Sequence, residues 1–270
     1  MKLLFTDLDG TLLNDDGSIS QENLSAIRRA AEKGNLTVIT TGRSLSSALP
    51  YIRQLKEIQK PCYAITYNGG LIYDCTREEI LYKRTIPLPY VKYIFAQAEK
   101  FDIHCQTYEN GTVLAPRDRT ELREYQEHSC MPVKIDPLLL EHLKEEPVKV
   151  LTSCLSDREH HDRYRRSLTQ WAKGKVSVFF SNEHYLEHVP EGTSKGRAIL
   201  WLCRQLGVPM ENTVAAGDAE NDITMLATAH VGVCMANGAA EVRQQADYIT
   251  LCDNNHGGIR EIIEKFIENS

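Results

Sequence analysis

Residues 2–13, KLLFTDLDGTLL, decide the fold expected for this chain. A short apolar run typical of a β-strand ends there in two carboxylates, Asp7 and Asp9, two positions apart. Taken alone, an Asp after a strand is most often a turn or helix-cap residue. The following segment, 18–34, predicts a helix, and LTVIT at 36–40 predicts a second strand. The order strand, helix, strand indicates a parallel sheet.

The last third of the chain repeats this alternation. In the first helix, Ser20 is the expected N-cap and Gly34 the expected stop, and similar signals recur later. Both ends of the chain therefore indicate one doubly wound, Rossmann-like α/β sheet. The later predicted elements are a helix at 193–207, strand 213–217 (TVAAG), helix 221–229, strand 231–235 (VGVCM), a helix near 239–246, strand 247–250 and a final helix at 258–269.

The middle of the chain has a different pattern. Strand-like stretches come in neighbouring pairs, one of them joined at Asn110 and Gly111, and they alternate with helices that include a charged one at 157–174. Pairs joined by a short turn predict an antiparallel sheet. We therefore expect a core formed by residues 1–82 plus 189–270, with a smaller α+β domain, residues 83–188, inserted between its halves.

Composition and charge exclude several classes of protein. The 270 residues are 42% hydrophobic, enough for a substantial core, and the net charge of −6 is spread along the chain without a basic face for nucleic acid. No apolar run approaches the roughly 20 residues that span a bilayer. The eight cysteines show no CxxC pair and favour buried, reduced thiols. We expect a cytoplasmic protein with no nucleic-acid, membrane or obligate protein partner.

Polar side chains collect directly after the predicted strands and at one helix start. Ligands of open parallel sheets bind beyond the carboxyl ends of the strands, so these side chains are expected at one edge. Their carboxylates, hydroxyl and ammonium suit phosphate and a divalent cation, and hard oxygen ligands favour Mg²⁺. The residues are Asp7, Asp9, Gly10 and Thr11 after the first strand, Thr41, Gly42 and Arg43 after the second, Asp218, Asn221 and Asp222 after TVAAG, and Lys195 beside Gly196.

Four short segments in this order resemble the four motifs of the haloacid dehalogenase superfamily: DLDGT at 7–11, TTGR at 40–43, SKG at 194–196 and GDAEND at 217–222. The insertion between the second and third motifs is similar in size and pattern to the α/β cap of the Cof-type hydrolases. The resemblance implies a Mg²⁺-dependent phosphatase that acts on a small phosphorylated metabolite, a sugar phosphate or a cofactor phosphate, through an aspartyl-phosphate.

The same resemblance assigns roles to the residues that match the motifs. Asp7 is implied to be the nucleophile and Asp9 the general acid and then base, and alternate residues of a strand can bring both carboxyls to one phosphoryl group. Mg²⁺ is implied on the carboxylates of Asp7 and Asp218 and on the main-chain carbonyl of Asp9. The remaining expected roles are phosphoryl binding by Thr41, Gly42, Lys195 and Asn221, and support by Thr11, Arg43, Asp222 and Asn68.

Some alternatives stay open at this point. The same site would serve a phosphotransferase or mutase, and a non-catalytic sensor of a phosphometabolite is the alternative from another class. Asn68, in YNGG at 67–70, is equally well explained as a turn residue and as a residue that reaches substrate. Zinc at His184 and His188 is disfavoured, because residues four apart on a strand lie about 13 Å apart. The pair at 160–161 is expected on a solvated helix face.

Overall fold

The structure, a computed structural model, describes residues 1–268. The chain divides into two compact units. The first comprises Met1–Arg43, Ala48–Tyr82 and the chain from Ser194 onward. The second comprises Ser44–Ser47 and Lys83–Thr193, so it extends beyond the limit at residue 188 expected from the sequence.

The first unit is built on an eight-stranded sheet with the order β14-β13-β12-β1-β2-β3-β4-β5. Neighbouring strands from β14 to β3 pair parallel, and β4 pairs antiparallel with β3. The strands are β1 (Leu3–Thr6), β2 (Leu36–Thr40), β3 (Tyr63–Thr66), β4 (Leu71–Asp74), β5 (Glu79–Lys83), β12 (Thr213–Gly217), β13 (Val231–Cys234) and β14 (Tyr248–Ile249).

In the first unit the helices alternate with the strands along the chain, as expected for a doubly wound fold. Ser20 caps the first helix, accepting a hydrogen bond from the Asn23 amide at 3.2 Å, and Gly34 follows that helix with φ +80°, so both predicted helix signals are confirmed. The helices are α1 (Gln21–Glu32), α2 (Leu45–Ile58), α7 (Lys195–Leu206), α8 (Ile223–Leu226), α9 (Ala240–Arg243) and α10 (Gly258–Ile262).

Three of the predicted helices are shorter or less regular than expected, and one of them, predicted near 239–246, covers only Ala240–Arg243. The helix predicted at 221–229 begins as one 3₁₀ turn, Glu220–Asp222, and continues as the short α8. The final helix changes from α10 to a wider π-type turn over Ile263–Glu268. Asn269, the last residue of that predicted helix, lies outside the described residues, as does Ser270.

The core of the sheet buries its strands almost completely. Every residue of β1, β2 and β12 is buried, as expected for central parallel strands covered on both faces. Leu3 and Phe5 of β1 pack with Val38 of β2, Ala215 of β12 and Leu202 of α7 in one apolar cluster. This packing holds the carboxyl ends of the central strands rigidly, and polar residues follow directly from those ends.

The hairpin of β3 and β4 was not predicted from the sequence. Its turn is a 3₁₀ segment, Tyr67–Gly69, in which Asn68 and Gly69 have φ values of +55° and +95°. An Asn-Gly pair between two apolar runs is the usual signal of a tight hairpin, and here it lies between YAIT and LIYD. That signal was available and would have found the hairpin.

The second unit is an α+β structure with a six-stranded sheet in the order β10-β11-β9-β6-β7-β8. Its pairs are antiparallel as predicted, except that β8 runs parallel to β7. The elements are α3 (Leu88–Lys100), β6 (His104–Glu109), β7 (Thr112–Ala115), α4 (Thr120–Ser129), β8 (Val133–Ile135), α5 (Leu139–His142), β9 (Val150–Ser153), α6 (Arg158–Ala172), β10 (Val176–Phe180) and β11 (Tyr185–Pro190).

The end of β11 shows why the second unit extends past residue 188. Val189 and Pro190 pair with Ser177 and Val176 of β10, so the strand stays in this sheet to its last residue.

Among residues 1–268, we find no helix that combines the length and the apolar character required to cross a bilayer.

Candidate active site

The ends of β1 and β12 and the start of α7 bring three groups together. Lys195, the first residue of α7, is completely buried, and its Nζ donates to Asp7 Oδ1 at 2.7 Å and to Asp222 Oδ1 at 2.6 Å. Ser194 caps α7 by accepting from the Arg197 amide. The cap fixes the start of the helix, so the ammonium is held between two carboxylates.

Asp222 is held from both sides. While its Oδ1 accepts from Lys195, its Oδ2 accepts from the main-chain N–H groups of Asp218 and Ala219 at 2.9 and 3.0 Å. Gly217 must be glycine here, because a Cβ on it would lie 2.4 Å from the Asp222 side chain. The result is a rigid turn after β12 that orients Asp218 as well as Lys195.

Asp218 faces the turn that carries Asp9. Its Oδ1 accepts from the Thr11 hydroxyl at 2.8 Å. Gly10, with φ +70°, lies so close that a Cβ would be 2.5 Å from Asp218 Oδ2. The turn after β1 and the turn after β12 therefore fit against each other through the carboxyl of Asp218.

The electrostatics of this cluster are unbalanced. Burial, and then the charges of Asp222 and Asp218 among others, raise the pKa of Asp7 although Lys195 opposes them. Burial, followed by the charge of Asp222, raises the pKa of Asp218 to about 7, against the hydrogen bond from Thr11. Burial alone would lower the pKa of Lys195, but Asp222 and Asp7 raise it above its ordinary value. A single ammonium thus faces more carboxyls than it can neutralise.

These residues fit a divalent cation. Ligand oxygens of Asp7, Asp218 and Asp222 lie within 4.8 Å of one another, and the three carboxyls are hard oxygen donors of the kind that Mg²⁺ takes. Both oxygens of Asp222 accept hydrogen bonds, whereas Asp7 and Asp218 each use only one side-chain oxygen in the bonds described above. Asp7 and Asp218 therefore suit a cation better than Asp222 does.

Asp9 has a different environment from Asp7. Its side chain is 59% exposed, and both carboxylate oxygens accept from Arg43, from Nε at 2.8 Å and from Nη2 at 2.5 Å. The Arg43 guanidinium also lies over the Tyr51 ring, 5.4 Å from its centroid. Burial by itself lowers the pKa of Arg43, and the bonds to Asp9 raise it above the ordinary value. One aspartate is thus buried against an ammonium and the other exposed on a guanidinium.

The loop after β2 and the β3–β4 turn form a second group. Thr41 is buried, and its hydroxyl accepts from the Arg43 amide at 3.1 Å. Asn68 donates its main-chain N–H to Thr41 O at 3.0 Å and accepts from Asn221 Nδ2 at 3.0 Å. Gly42 packs against the Asn68 carboxamide, which would be 3.0 Å from a Cβ on it.

The structure thus places the residues expected at the site in two joined groups: Asp7, Gly10, Thr11, Lys195, Asp218 and Asp222 in one, and Thr41, Gly42, Asn68 and Asn221 in the other, with Arg43 pairing to Asp9.

One neighbouring residue of the site was not predicted from the sequence. Asn237 donates through Nδ2 to the main-chain oxygen of Gly10 at 2.8 Å, which ties the loop after β13 to the DLDGT turn. An Asn-Gly pair after a strand, ANGA at 236–239, was the available signal.

Two histidines of the second unit, His161 and His188, are buried inside that unit. His188 lies inside the sheet of that unit, 3.3 Å from the Tyr164 hydroxyl and 3.3 Å from Val150 O. The solvated face expected for the pair at 160–161 is wrong for His161, which is completely buried against Phe180. His161 is on the same helix face as Tyr164, so it belongs to the buried side of α6.

Comparison with known proteins is consistent with this geometry. The chain matches the family described as haloacid dehalogenase-like hydrolase over residues 4–263. Two Bacillus subtilis proteins named 5-amino-6-(5-phospho-D-ribitylamino)uracil phosphatase are similar to it. One is 30% identical over 285 residues, 98% of this chain and 97% of the relative. The other is 31% identical over 270 residues, 99% of this chain and 96% of the relative.

A solved structure of a haloacid dehalogenase-like hydrolase from Bacteroides thetaiotaomicron has the same fold, with a TM-score of 0.87, 28% identity and 98% coverage of each chain. The chain belongs to the haloacid dehalogenase-like hydrolase family. The expected fold class and the resemblance indicated by the four motifs are thereby confirmed, and the protein is an enzyme of the hydrolase class.

Proposed function

We propose that this enzyme is a Mg²⁺-dependent phosphatase that hydrolyses a small phosphorylated metabolite through an aspartyl-phosphate. The observation that carries the proposal is the buried cluster in which Lys195 contacts Asp7 and Asp222 while Asp218 lies within 4.8 Å. A nucleophile and an ammonium side by side suit attack on an anionic phosphoryl group, because the ammonium stabilises oxygens whose charge grows during transfer.

The reaction proceeds in two displacements. A carboxylate oxygen of Asp7 forms a bond to phosphorus while the bond from phosphorus to the substrate alcohol breaks, and the departing oxygen takes a proton from Asp9. Asp9 then removes a proton from water as the water oxygen bonds to phosphorus. The bond from phosphorus to Asp7 breaks, which releases inorganic phosphate and restores the Asp7 carboxylate.

Two groups of residues support these steps in the proposal. When bound, Mg²⁺ would supply the positive charge that lets two anions approach, held by the carboxylates of Asp7 and Asp218 and the main-chain oxygen of Asp9. Lys195 and Asn221 bind the phosphoryl oxygens, together with Thr41 and the main chain of Gly42. In this proposal Asp7 and Asp9 have different roles, and they lie in different environments, Asp7 buried beside Lys195 and Asp9 exposed beside Arg43.

Two observations support the proposed substrate class: the names of the relatives and the domain organisation. Both Bacillus subtilis relatives are named for a phosphate monoester on a ribityl chain. We propose a small phosphorylated metabolite of this kind, a sugar phosphate or cofactor phosphate, for the present enzyme as well. The inserted unit is proposed to be the cap that selects among such substrates, since it supplies a separate α+β domain outside the four motifs.

A phosphate-release screen tests the proposal. Polyol, sugar, nucleotide and aryl phosphates are incubated with the enzyme and Mg²⁺, and the activity of Asp7→Asn is compared with that of Glu241→Gln, an exposed change on α9. We expect release from several monoesters, loss of turnover in Asp7→Asn with an unchanged circular dichroism spectrum, and full activity in Glu241→Gln. Turnover by Asp7→Asn, or no release from any ester, would overturn the proposal, and phosphate recovered on an added alcohol would identify a phosphotransferase instead.

A further inference from the structure

Asn68 is an unusual turn residue, because it is buried. Its backbone is left-handed, with φ +55° and ψ +32°, and the residue is 1% exposed. Such a conformation is common for Asn in tight hairpins, where the side chain is ordinarily in solvent. The second Asn-Gly hairpin turn of this chain provides the comparison: Asn110, with φ +48°, is exposed.

The buried side chain joins two segments of the site that are far apart in sequence. Its Oδ1 accepts from Asn221 Nδ2 at 3.0 Å, and its carboxamide packs against Gly42. Its main-chain N–H donates to Thr41 O at 3.0 Å. Asn68 alone therefore contacts two segments of the site. One is the loop after β2, which carries Thr41, and the other is the turn before α8, which carries Asn221; both residues are proposed to bind the phosphoryl group.

The hydrogen bonding of this pair argues against a purely stabilising role. Within the described part of the chain, Asn68 Nδ2 and Asn221 Oδ1 are both buried and without a hydrogen-bond partner. A buried amide left half-satisfied costs free energy, so a pair kept for stability would satisfy both of its ends. A role in orienting groups accounts for the burial, while a turn role alone leaves it unexplained.

We infer that Asn68 is a positioning residue for phosphate binding: through its carboxamide it holds Asn221 and the Thr41–Gly42 loop in the arrangement that receives the phosphoryl group. The inference rests on the proposed function, since it concerns the same site. It assigns the β3–β4 hairpin a part in the chemistry although the hairpin carries none of the reacting groups.

The experiment measures the affinity for inorganic phosphate by calorimetry in the presence of Mg²⁺, which does not depend on turnover. Asn68→Gly removes the carboxamide but keeps a residue that adopts φ near +55° without strain. Asn110→Gly makes the same change in the exposed hairpin and is the matched control. We expect Asn68→Gly to weaken phosphate binding about tenfold and Asn110→Gly to leave it unchanged, with similar melting temperatures for the two variants.

A double-mutant cycle with Asn221→Ala distinguishes positioning from a general structural effect. If Asn68 acts in part through Asn221, the double variant loses less affinity for phosphate than the two single losses added together. Losses that simply add, or an unchanged affinity in Asn68→Gly, would overturn the inference even if the wild-type enzyme releases phosphate from esters. Non-additive losses in an enzyme without turnover would overturn the proposed function and leave the positioning role of Asn68 standing.

Discussion

Arg43 holds both carboxylate oxygens of Asp9, through Nε at 2.8 Å and Nη2 at 2.5 Å. A bidentate pair of this kind fixes the orientation of both planes. The pair therefore holds the Asp9 carboxyl in a defined direction.

The first prediction concerns this pair. Arg43→Lys keeps the positive charge but cannot form the bidentate pair, so the Asp9 carboxyl loses its fixed orientation. We expect kcat/KM to fall about tenfold or more for alkyl phosphates, whose leaving groups need a proton, and to fall little for p-nitrophenyl phosphate, whose leaving group does not. Steady-state kinetics on both substrates provide the measurement.

Arg29→Lys is the control for this prediction. Arg29 lies on the surface, pairs with Glu264 and Glu268, and is outside the site. Its replacement should therefore leave kcat/KM unchanged for both substrates. An equal loss of kcat/KM on the alkyl and the aryl phosphate in Arg43→Lys would show that the arginine does not act through Asp9.

The second prediction concerns the completely buried ammonium. Lys195→Met leaves Asp7 and Asp222 facing each other without the charge between them, and removing one partner of a buried ion group costs about 3–5 kcal/mol. Urea denaturation should show a loss of this size, together with loss of turnover. The double variant Lys195→Met/Asp7→Asn should recover part of the stability, because it removes one of the stranded charges.

Lys56→Met tests whether the burial of Lys195 is the reason for the loss of stability predicted for Lys195→Met. Lys56 pairs with Glu78 at 2.7 Å on the surface, where such pairs contribute at most about 1 kcal/mol. A double variant no more stable than Lys195→Met would mean that stranded charge is not the cause of the loss.

The third prediction concerns pH and the second unit. Burial, and next the charge of Arg158, lowers the pKa of His161 to about 4, and burial lowers that of His188 to about 3. An unfolded histidine takes up its proton near pH 6.5. Between about pH 6.5 and pH 4 these two histidines therefore bind more protons in the unfolded chain than in the folded one, so their contribution to the free energy of unfolding falls as the pH falls.

Replacing His161 by Leu should reduce that dependence. We expect the variant to lose about 2 kcal/mol less than the wild type between pH 6.5 and pH 4.5, as measured by urea denaturation at each pH. His230→Gln, at an exposed position, should keep the slope of the wild type. Parallel curves for His161→Leu and the wild type would contradict the prediction.

The parts of the site that the sequence predicts are those coded locally. Asp7, Thr41 and Asp218 each follow an apolar strand directly, and in a parallel sheet this position alone places them at one edge. Lys195 is predictable because Ser194 before it marks the start of a helix. No contact between distant segments has to be known for these assignments.

The parts that were not predicted depend on tertiary contacts. The burial of Asn68 depends on Gly42 and Asn221, which are distant in sequence and meet only in the fold. The bond from Asn237 to Gly10 spans almost the whole chain. His161 was misplaced because its helix is rich in charged residues, and its position on the face of Tyr164 shows only when the apolar face is traced separately.

The fourth prediction concerns the contact between Gly10 and Asp218. Alanine at position 10 would place a Cβ 2.5 Å from Asp218 Oδ2 and at a φ of +70°, so both backbone strain and a clash arise. The clashing atoms, Oδ2 at 2.5 Å and Cγ at 2.8 Å, belong to the end of a side chain, so the carboxyl can shift while the fold is kept. The shifted carboxyl then leaves the position proposed for Mg²⁺. We expect Gly10→Ala to weaken Mg²⁺ binding at least tenfold in calorimetry.

Gly34→Ala separates the two effects. Gly34 has φ +80°, but a Cβ on it would meet nothing within 4 Å, so this variant carries the strain without the clash. Both variants should lose about 1 kcal/mol of stability from the left-handed backbone, and only Gly10→Ala should lose affinity for the ion. If the two variants bound Mg²⁺ equally well, Asp218 would not be the ligand that its place beside Gly10 and Thr11 indicates.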